Sequence, residues 1–164
     1  MQSDQGHQGN PRKHKRVKHR TLWYKGRLIG LTKGGLNSKL HAVTDAFGRP
    51  IRMFLIAGNV SDYVGAGAMV GSLPQADWLL ADRGYDADWF RNDLKNMKIE
   101  PCIPSRKPRK VAIPHDRSRY KLRHKIENMF GKLEDWRRIA TRYDRCPELF
   151  LSAIALAAIV LFWL

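Results

Sequence analysis

The sequence has few cysteines, few acidic residues and no apolar stretch long enough to cross a bilayer. Its two cysteines, Cys102 and Cys146, are isolated, without a Cys-x-x-Cys motif or a spaced Cys/His cluster. This excludes a disulfide scaffold and a zinc finger, and it favours a reducing, cytoplasmic compartment. The first twenty residues are polar and basic and lack the apolar core of a signal peptide. The most apolar segment, Leu149–Leu164, is shorter than the ~20 residues of a membrane span, so it predicts a buried core helix.

The shortage of acids leaves a large positive charge. Thirty Lys and Arg against fifteen Asp and Glu give a formal net charge of +15 and a pI near 10.3. Such a charge indicates a polyanionic partner, with nucleic acid favoured over an anionic membrane surface. The length of 164 residues and the apolar fraction of 43% are typical of one ordinary globular domain.

The N-terminal segment, residues 1–20, has Val17 as its one aliphatic residue after Met1 and is rich in Lys and Arg. A segment of this composition buries too little apolar surface to order itself, so we expect a disordered basic arm. It is either a solvated tail or an arm that lies along DNA phosphates. Residues 21–164 are predicted to form one domain.

Within that domain, apolar periodicity and turn residues predict alternating strands and helices. The expected strands are two hairpin strands, a short buried strand and a Pro-containing edge strand: Lys39–Val43, Ile51–Ile56, Trp78–Ala81 and Ile99–Pro104. The expected helices are a short Gly-weakened one and an amphipathic one, Tyr63–Leu73 and Asp88–Met97. This alternation indicates an α/β fold.

Asp82 follows the apolar run Trp78–Ala81 directly, before the turn at Arg83-Gly84. In open α/β sheets, ligands bind at the carboxyl ends of the strands, so Asp82 is placed where an acid can hold a metal ion. The alternative is that Asp82 only caps the following turn.

A second group of candidates lies between residues 105 and 136. The Pro-rich loop Ser105–Asp116 is either a phosphate-contacting loop or a solvated one, and its cations are Arg106, Lys107, Arg109 and Lys110. A long helix starting at Asp116 or Ser118 is predicted from one apolar stripe formed by Leu122, Ile126, Met129, Phe130, Leu133 and Trp136. Along its edge, Arg123 and Glu127 form either a salt bridge or a metal-binding carboxylate beside a phosphate-binding guanidinium.

Five segments in series resemble the transposases of bacterial insertion sequences, in the family-five group of the DDE class. The helix motif is Tyr120-x-x-Arg123-x-x-x-Glu127, and the other four segments are Lys33–Asp45, Gly58–Asp62, Leu80–Asp86 and Trp136–Asp144. The resemblance covers residues 20–164 in unbroken order. One departure is Glu134, which stands where the family has a signature Lys.

The resemblance implies a ribonuclease H-like mixed sheet flanked by helices, and DNA strand cleavage and transfer by two-metal phosphoryl transfer. Asp82 and Glu127 would be the catalytic, metal-binding carboxylates, with Mg²⁺ (or Mn²⁺) as cofactor. Tyr120 and Arg123 would position a phosphate. The partner would be double-stranded DNA at the terminal inverted repeats of the element, in the cytoplasm and associated with the bacterial nucleoid.

The first catalytic Asp of the family is the other departure. The upstream positions that should carry it hold Pro11-Arg12-Lys13-His14, and the one earlier acid is Asp4. The first strand therefore has no counterpart here, as in a second-reading-frame product, and an upstream-frame product or a fused longer transposase becomes an expected partner. Two alternatives remain: a non-catalytic nucleic-acid-binding remnant, and a remnant that folds poorly.

Overall fold

The computed structural model describes residues 28–164, so the expected basic arm lies outside the described residues. This part of the chain forms five strands and six α-helices. The strands are β1 Gly30–Thr32, β2 Gly35–Thr44, β3 Pro50–Ala57, β4 Trp78–Leu80 and β5 Glu100–Cys102. The helices are α1 Asp62–Val70, α2 Asp88–Asn96, α3 Arg117–Tyr120, α4 His124–Glu134, α5 Arg137–Ala140 and α6 Pro147–Phe162. The mixed α/β architecture expected from the sequence is confirmed.

The first sheet is antiparallel, with strand order β1-β2-β3. Its β2–β3 hairpin is the one predicted, and turn chemistry explains it. The Asp45 carboxylate accepts hydrogen bonds from the backbone N–H groups of Phe47 and Arg49, both at 2.9 Å. Gly48 adopts φ +88°, a conformation that residues with a side chain rarely adopt. Asp45 is therefore committed to the turn.

The second sheet consists of β4 and β5, which pair in parallel. Helix α2 connects the two strands along the chain. The expectation that β4 is buried on both faces is wrong for the described residues, because all three of its residues are half-buried. The guanidinium of Arg119 lies over the Trp78 ring, 4.0 Å from its centroid, and covers part of the strand. The strand ends at Leu80, two residues before Asp82, which precedes the following 3₁₀ turn.

The long helix expected from residue 116 or 118 is broken. Asp116 caps its start by accepting hydrogen bonds from the N–H groups of Ser118 and Arg119. However, α3 ends at Tyr120, and a 3₁₀ turn at Lys121–Arg123 precedes α4. Leu122 lies in this tighter turn and is half exposed, so it does not continue the buried stripe. Trp136 lies beyond the end of α4 and is also exposed.

The C-terminal helix α6 packs one face on the core and leaves the other in solvent. Phe150, Ile154, Ala157 and Ala158 are buried with residues of β3, α4 and α5. The opposite face exposes Leu149, Leu156, Ile159 and Val160. The core helix predicted from Leu149–Leu164 is thus present, although only one of its faces is covered. Among residues 28–164, no helix combines the length and apolarity needed to cross a membrane.

A cleft of about 1320 Å³ separates the two sheets. Its walls include every consecutive residue from Leu36 to Ala46 and from Leu73 to Asp82. Successive residues of a strand point to opposite faces, so an uninterrupted run means that the edges of β2 and β4 face the cleft. Within the described chain, Ser38–Thr44 pair with β3 alone and β4 pairs with β5 alone. Both edges are therefore open toward the same space.

Candidate active site

Asp82 lines this cleft, two residues after the end of β4. It precedes the 3₁₀ turn Arg83–Tyr85, but its side chain makes no capping hydrogen bond to that turn. Its Oδ2 atom instead accepts a hydrogen bond from Nη2 of Arg123 at 2.5 Å, and Oδ1 accepts one from the Tyr120 hydroxyl at 3.3 Å. Turn capping therefore does not account for this carboxylate, which faces side chains 38 and 41 residues away.

Glu127 approaches the same guanidinium from the first turn of α4. Its Oε1 atom accepts a hydrogen bond from Nη1 of Arg123 at 2.5 Å. The salt bridge expected between Arg123 and Glu127 is present, and it forms in the same place as the contact with Asp82. The structure therefore brings together four residues that sequence reasoning singled out: Asp82, Tyr120, Arg123 and Glu127.

The pKa values of the cluster reflect its charges. Partial burial alone would lower the pKa of Arg123, but the charge of Asp82 and the hydrogen bond to Glu127 outweigh burial and raise it. Burial, and then the nearby charge of Asp82, raise the pKa of the Tyr120 hydroxyl. Arg123 therefore stays charged and Tyr120 stays protonated near neutral pH, so both donate hydrogen bonds to anions.

The donor set fits a hard divalent cation only in part. Carboxylate oxygens are the ligands that Mg²⁺ prefers, and the side chains of Asp82 and Glu127 are 47% and 60% exposed to solvent. Across residues 28–164, however, no group of three or more His, Cys, Asp or Glu converges as a metal site. Asp45 is held in its turn, and Asp62 pairs with Lys39 at 2.8 Å. The described chain therefore supplies two carboxylates for a metal ion, and the guanidinium of Arg123 lies between them.

A buried support for the Asp82 turn was missed by sequence reasoning. The Tyr85 hydroxyl lies 2.5 Å from Nδ1 of His41, a buried residue of β2. The imidazole also stacks on Phe54 and lies so close to α1 that a Cβ at Gly65 would come within 2.5 Å of it. Burial lowers the pKa of His41 and raises that of Tyr85, which keeps both groups neutral. The available signal was a histidine in the middle of a predicted apolar strand.

The basic loop divides into two kinds of cation. Arg106, Lys107 and Lys110 are exposed, as a phosphate-contacting role requires. Arg109 differs, because its guanidinium forms salt bridges with the buried Asp86 at 2.9 Å and with the exposed Asp88 at 2.7 Å. In this structure Arg109 is therefore engaged by carboxylates and not by solvent.

Comparison with known proteins identifies a family and two relatives. Residues 7–163 match the family model described as "Transposase DDE domain". A putative transposase for insertion sequence element IS6501 from Brucella ovis is 35% identical over 130 residues, which cover 79% of this chain and 99% of that protein.

A putative transposase for insertion sequence element IS402 from Burkholderia cepacia is 28% identical over 137 residues, covering 77% of this chain and 63% of that protein. No solved structure gives a significant match. The family match spans nearly the whole sequence, and the Brucella relative is matched over almost its full length. The chain therefore belongs to the family of insertion-sequence transposases with a DDE domain.

Proposed function

We propose that this chain carries two of the three metal-binding carboxylates of an insertion-sequence transposase that cleaves and transfers DNA strands. The observation that supports this most directly is the meeting of Asp82 and Glu127 on one guanidinium that lines the cleft. The two residues are 45 positions apart in sequence and lie on different elements. Such a meeting near the end of a strand supplies part of the carboxylate set that two-metal phosphoryl transfer requires.

Each residue of the cluster has a definite task in this proposal. Asp82 and Glu127 would hold Mg²⁺ or Mn²⁺, which supplies the charge for activating the attacking hydroxyl and stabilising the leaving 3′-oxygen. Arg123 would leave its two carboxylates to bind a phosphate oxygen, since a planar guanidinium matches phosphate geometry. The Tyr120 hydroxyl would donate a hydrogen bond to the same phosphate or orient Asp82.

The proposed fold is ribonuclease H-like, and residues 28–164 do not include its first strand. The open edges of β2 and β4 support this, because one strand placed between them would join the two sheets into one. The cleft is also larger than the roughly 300–1,000 Å³ of small-molecule pockets. A strand in that position would end beside Asp82 and could carry the third carboxylate. An upstream-frame product or a fused longer transposase is the proposed source.

The proposed partner is double-stranded DNA at the terminal inverted repeats, bound in the bacterial cytoplasm at the nucleoid. The charge of +15 supports a polyanion, and phosphate contacts account for affinity without reading sequence. We expect the affinity of the purified chain for duplex DNA to fall about 10³-fold or more between roughly 50 and 200 mM salt, if at least six phosphates are contacted. Fluorescence anisotropy over a salt series measures this slope.

The loop is tested in the same assay. The double substitution Arg106→Gln and Lys107→Gln should lower the salt slope by up to about two. The matched control is Lys95→Gln with Lys98→Gln, which removes the same charge at exposed positions around the end of α2 and should change the slope less. An affinity that does not depend on salt concentration would contradict binding through phosphates. Equal changes of the salt slope in the two double variants would show that the loop is not part of the DNA interface.

A non-catalytic DNA-binding remnant is the second candidate, and the small number of converging carboxylates favours it. A Mn²⁺ titration followed by electron paramagnetic resonance separates the two. The catalytic proposal expects weak binding that Asp82→Asn abolishes and that Arg123→Gln strengthens, because the guanidinium competes for both carboxylates. Asp135→Asn, at an exposed acid after α4, is the control and should leave the titration unchanged. A titration curve unaffected by Asp82→Asn would favour the remnant.

A further inference from the structure

The most completely buried carboxylate of the described chain belongs to Asp86, four residues after Asp82. Its side chain is 0% exposed and accepts four hydrogen bonds. Arg91 Nε donates at 2.8 Å, the backbone N–H of Arg106 at 2.8 Å, and Arg109 Nε and Nη2 at 2.9 and 3.0 Å. Burial alone would raise the pKa of Asp86, but the bonds from Arg109, Arg106 and Arg91 outweigh it and lower the pKa to about 2.

Three of these four bonds, those from Arg106 and Arg109, join two segments that both lead to the candidate active site. Asp86 follows the turn that begins at Asp82, whereas Arg106 and Arg109 belong to the loop that runs from β5 to α3 and Tyr120. Near its ends the loop is closed by a hydrogen bond from the backbone N–H of Ile113 to Ser105 Oγ at 2.7 Å. Asp86 therefore fastens the middle of the basic loop to the Asp82 segment.

We propose that Asp86 is a positioning residue that holds the basic loop, residues 105–116, in a fixed conformation. Arg109 binds Asp86 and not a phosphate, and we call this salt bridge the latch. The latch keeps Arg106, Lys107 and Lys110 ordered on the surface, where they can contact DNA. The inference deepens the proposed DNA binding and rests on it for its consequence, but the latch itself can be tested without DNA.

Removing the negative charge of Asp86 is expected to destabilise the loop, because it leaves positive charges behind in the interior. The side chains of Arg91 and Arg109 are 6% and 17% exposed, so loss of the carboxylate leaves two largely buried guanidinium groups without this partner. A buried ion pair that loses one member is strongly destabilised, and we expect the loop to be the first segment to open. Asp88 also binds the guanidinium of Arg109, but the Asp88 side chain is 75% exposed, and an ion pair with such an exposed partner contributes little to stability.

The experiment compares Asp86→Asn with Asp88→Asn. Both substitutions raise the formal net charge by one, so simple electrostatics predicts slightly tighter DNA binding for both. We expect Asp86→Asn to bind duplex DNA about tenfold more weakly, because the loop must then be ordered on binding. We expect Asp88→Asn to bind as tightly as the unsubstituted chain or slightly more tightly. Equal strengthening in both variants would overturn the positioning role.

Limited trypsin digestion tests the latch directly. Trypsin cleaves after Arg106 and Lys110, and Asp86→Asn should speed cleavage there by at least about tenfold at temperatures where circular dichroism shows the fold intact. Should Asp86→Asn fail to fold, Arg109→Gln replaces it, since Asp86 then keeps its bond to Arg91.

Arg109→Gln should also speed loop cleavage and weaken DNA binding by more than the loss of one charge at Lys98→Gln. Unchanged cleavage in Arg109→Gln overturns the latch. If the unsubstituted chain does not bind DNA but the loop opens as expected, the latch stands and the proposed DNA binding fails.

Discussion

We expect aspartate at Ala157 to unfold the domain and aspartate at the neighbouring Leu156 to leave it folded. Ala157 is fully buried in the cluster that joins α6 to β3 and α4. An unpaired carboxylate there costs several kcal/mol, a large part of the roughly 5–15 kcal/mol that stabilises a typical domain. Circular dichroism during heating and urea titration measures the loss. We expect no cooperative transition for Ala157→Asp at 25 °C.

Leu156→Asp is the matched control, because it places the same residue, with the same charge and the same low helix propensity, one position away in α6. Leu156 is 64% exposed, so its replacement removes apolar surface from water and leaves the core intact. The melting temperature should change by only a few degrees. A folded Ala157→Asp, or an unsubstituted chain that partitions into lipid vesicles through α6, would contradict the assignment of this helix to the core.

The elements that the sequence predicted well are those fixed by local chemistry. Asp45 and Gly48 define the hairpin through turn bonds within four residues. Asp116 marks a helix start through bonds to the next turn. Such interactions depend on neighbours along the chain, so a single sequence contains all of the information needed to expect them.

The elements that were mispredicted or missed depend on distant partners. Periodicity placed Leu122 in a buried stripe, but the 3₁₀ turn at Lys121–Arg123 rotates the chain and exposes it. The Asp86 latch joins residues 5 to 23 positions apart, and His41 meets Tyr85 across 44 positions. Nothing in local sequence identifies a buried carboxylate with two guanidinium partners. Asp82 and Glu127 were paired because of the family resemblance, which carries three-dimensional information that spacing alone lacks.

We expect the 164-residue chain alone to show no strand cleavage or transfer at element ends, with either Mg²⁺ or Mn²⁺. Two carboxylates can hold one ion weakly, but in-line displacement needs two ions about 4 Å apart and therefore more ligands. Two further acids of the described chain are already engaged, Asp45 in its turn and Asp62 with Lys39. Cleavage of an end-labelled terminal-repeat duplex, resolved on a denaturing gel, is the measurement.

A longer polypeptide that supplies an acid-bearing strand from an upstream frame should cleave the same duplex, because such a strand would have room between the open edges of β2 and β4. In that polypeptide, Asp82→Asn or Glu127→Gln should each lower the rate at least about 10³-fold, since each removes a metal ligand worth several kcal/mol in the transition state. Asp135→Asn, an exposed acid just after α4, should leave the rate unchanged.

Robust metal-dependent cleavage by the 164-residue chain itself would overturn the missing-ligand argument. Asp45→Asn and Asp62→Asn would then identify which of the two supplies the third carboxylate, and Asp62 is the stronger candidate because its salt bridge to Lys39 is partly exposed.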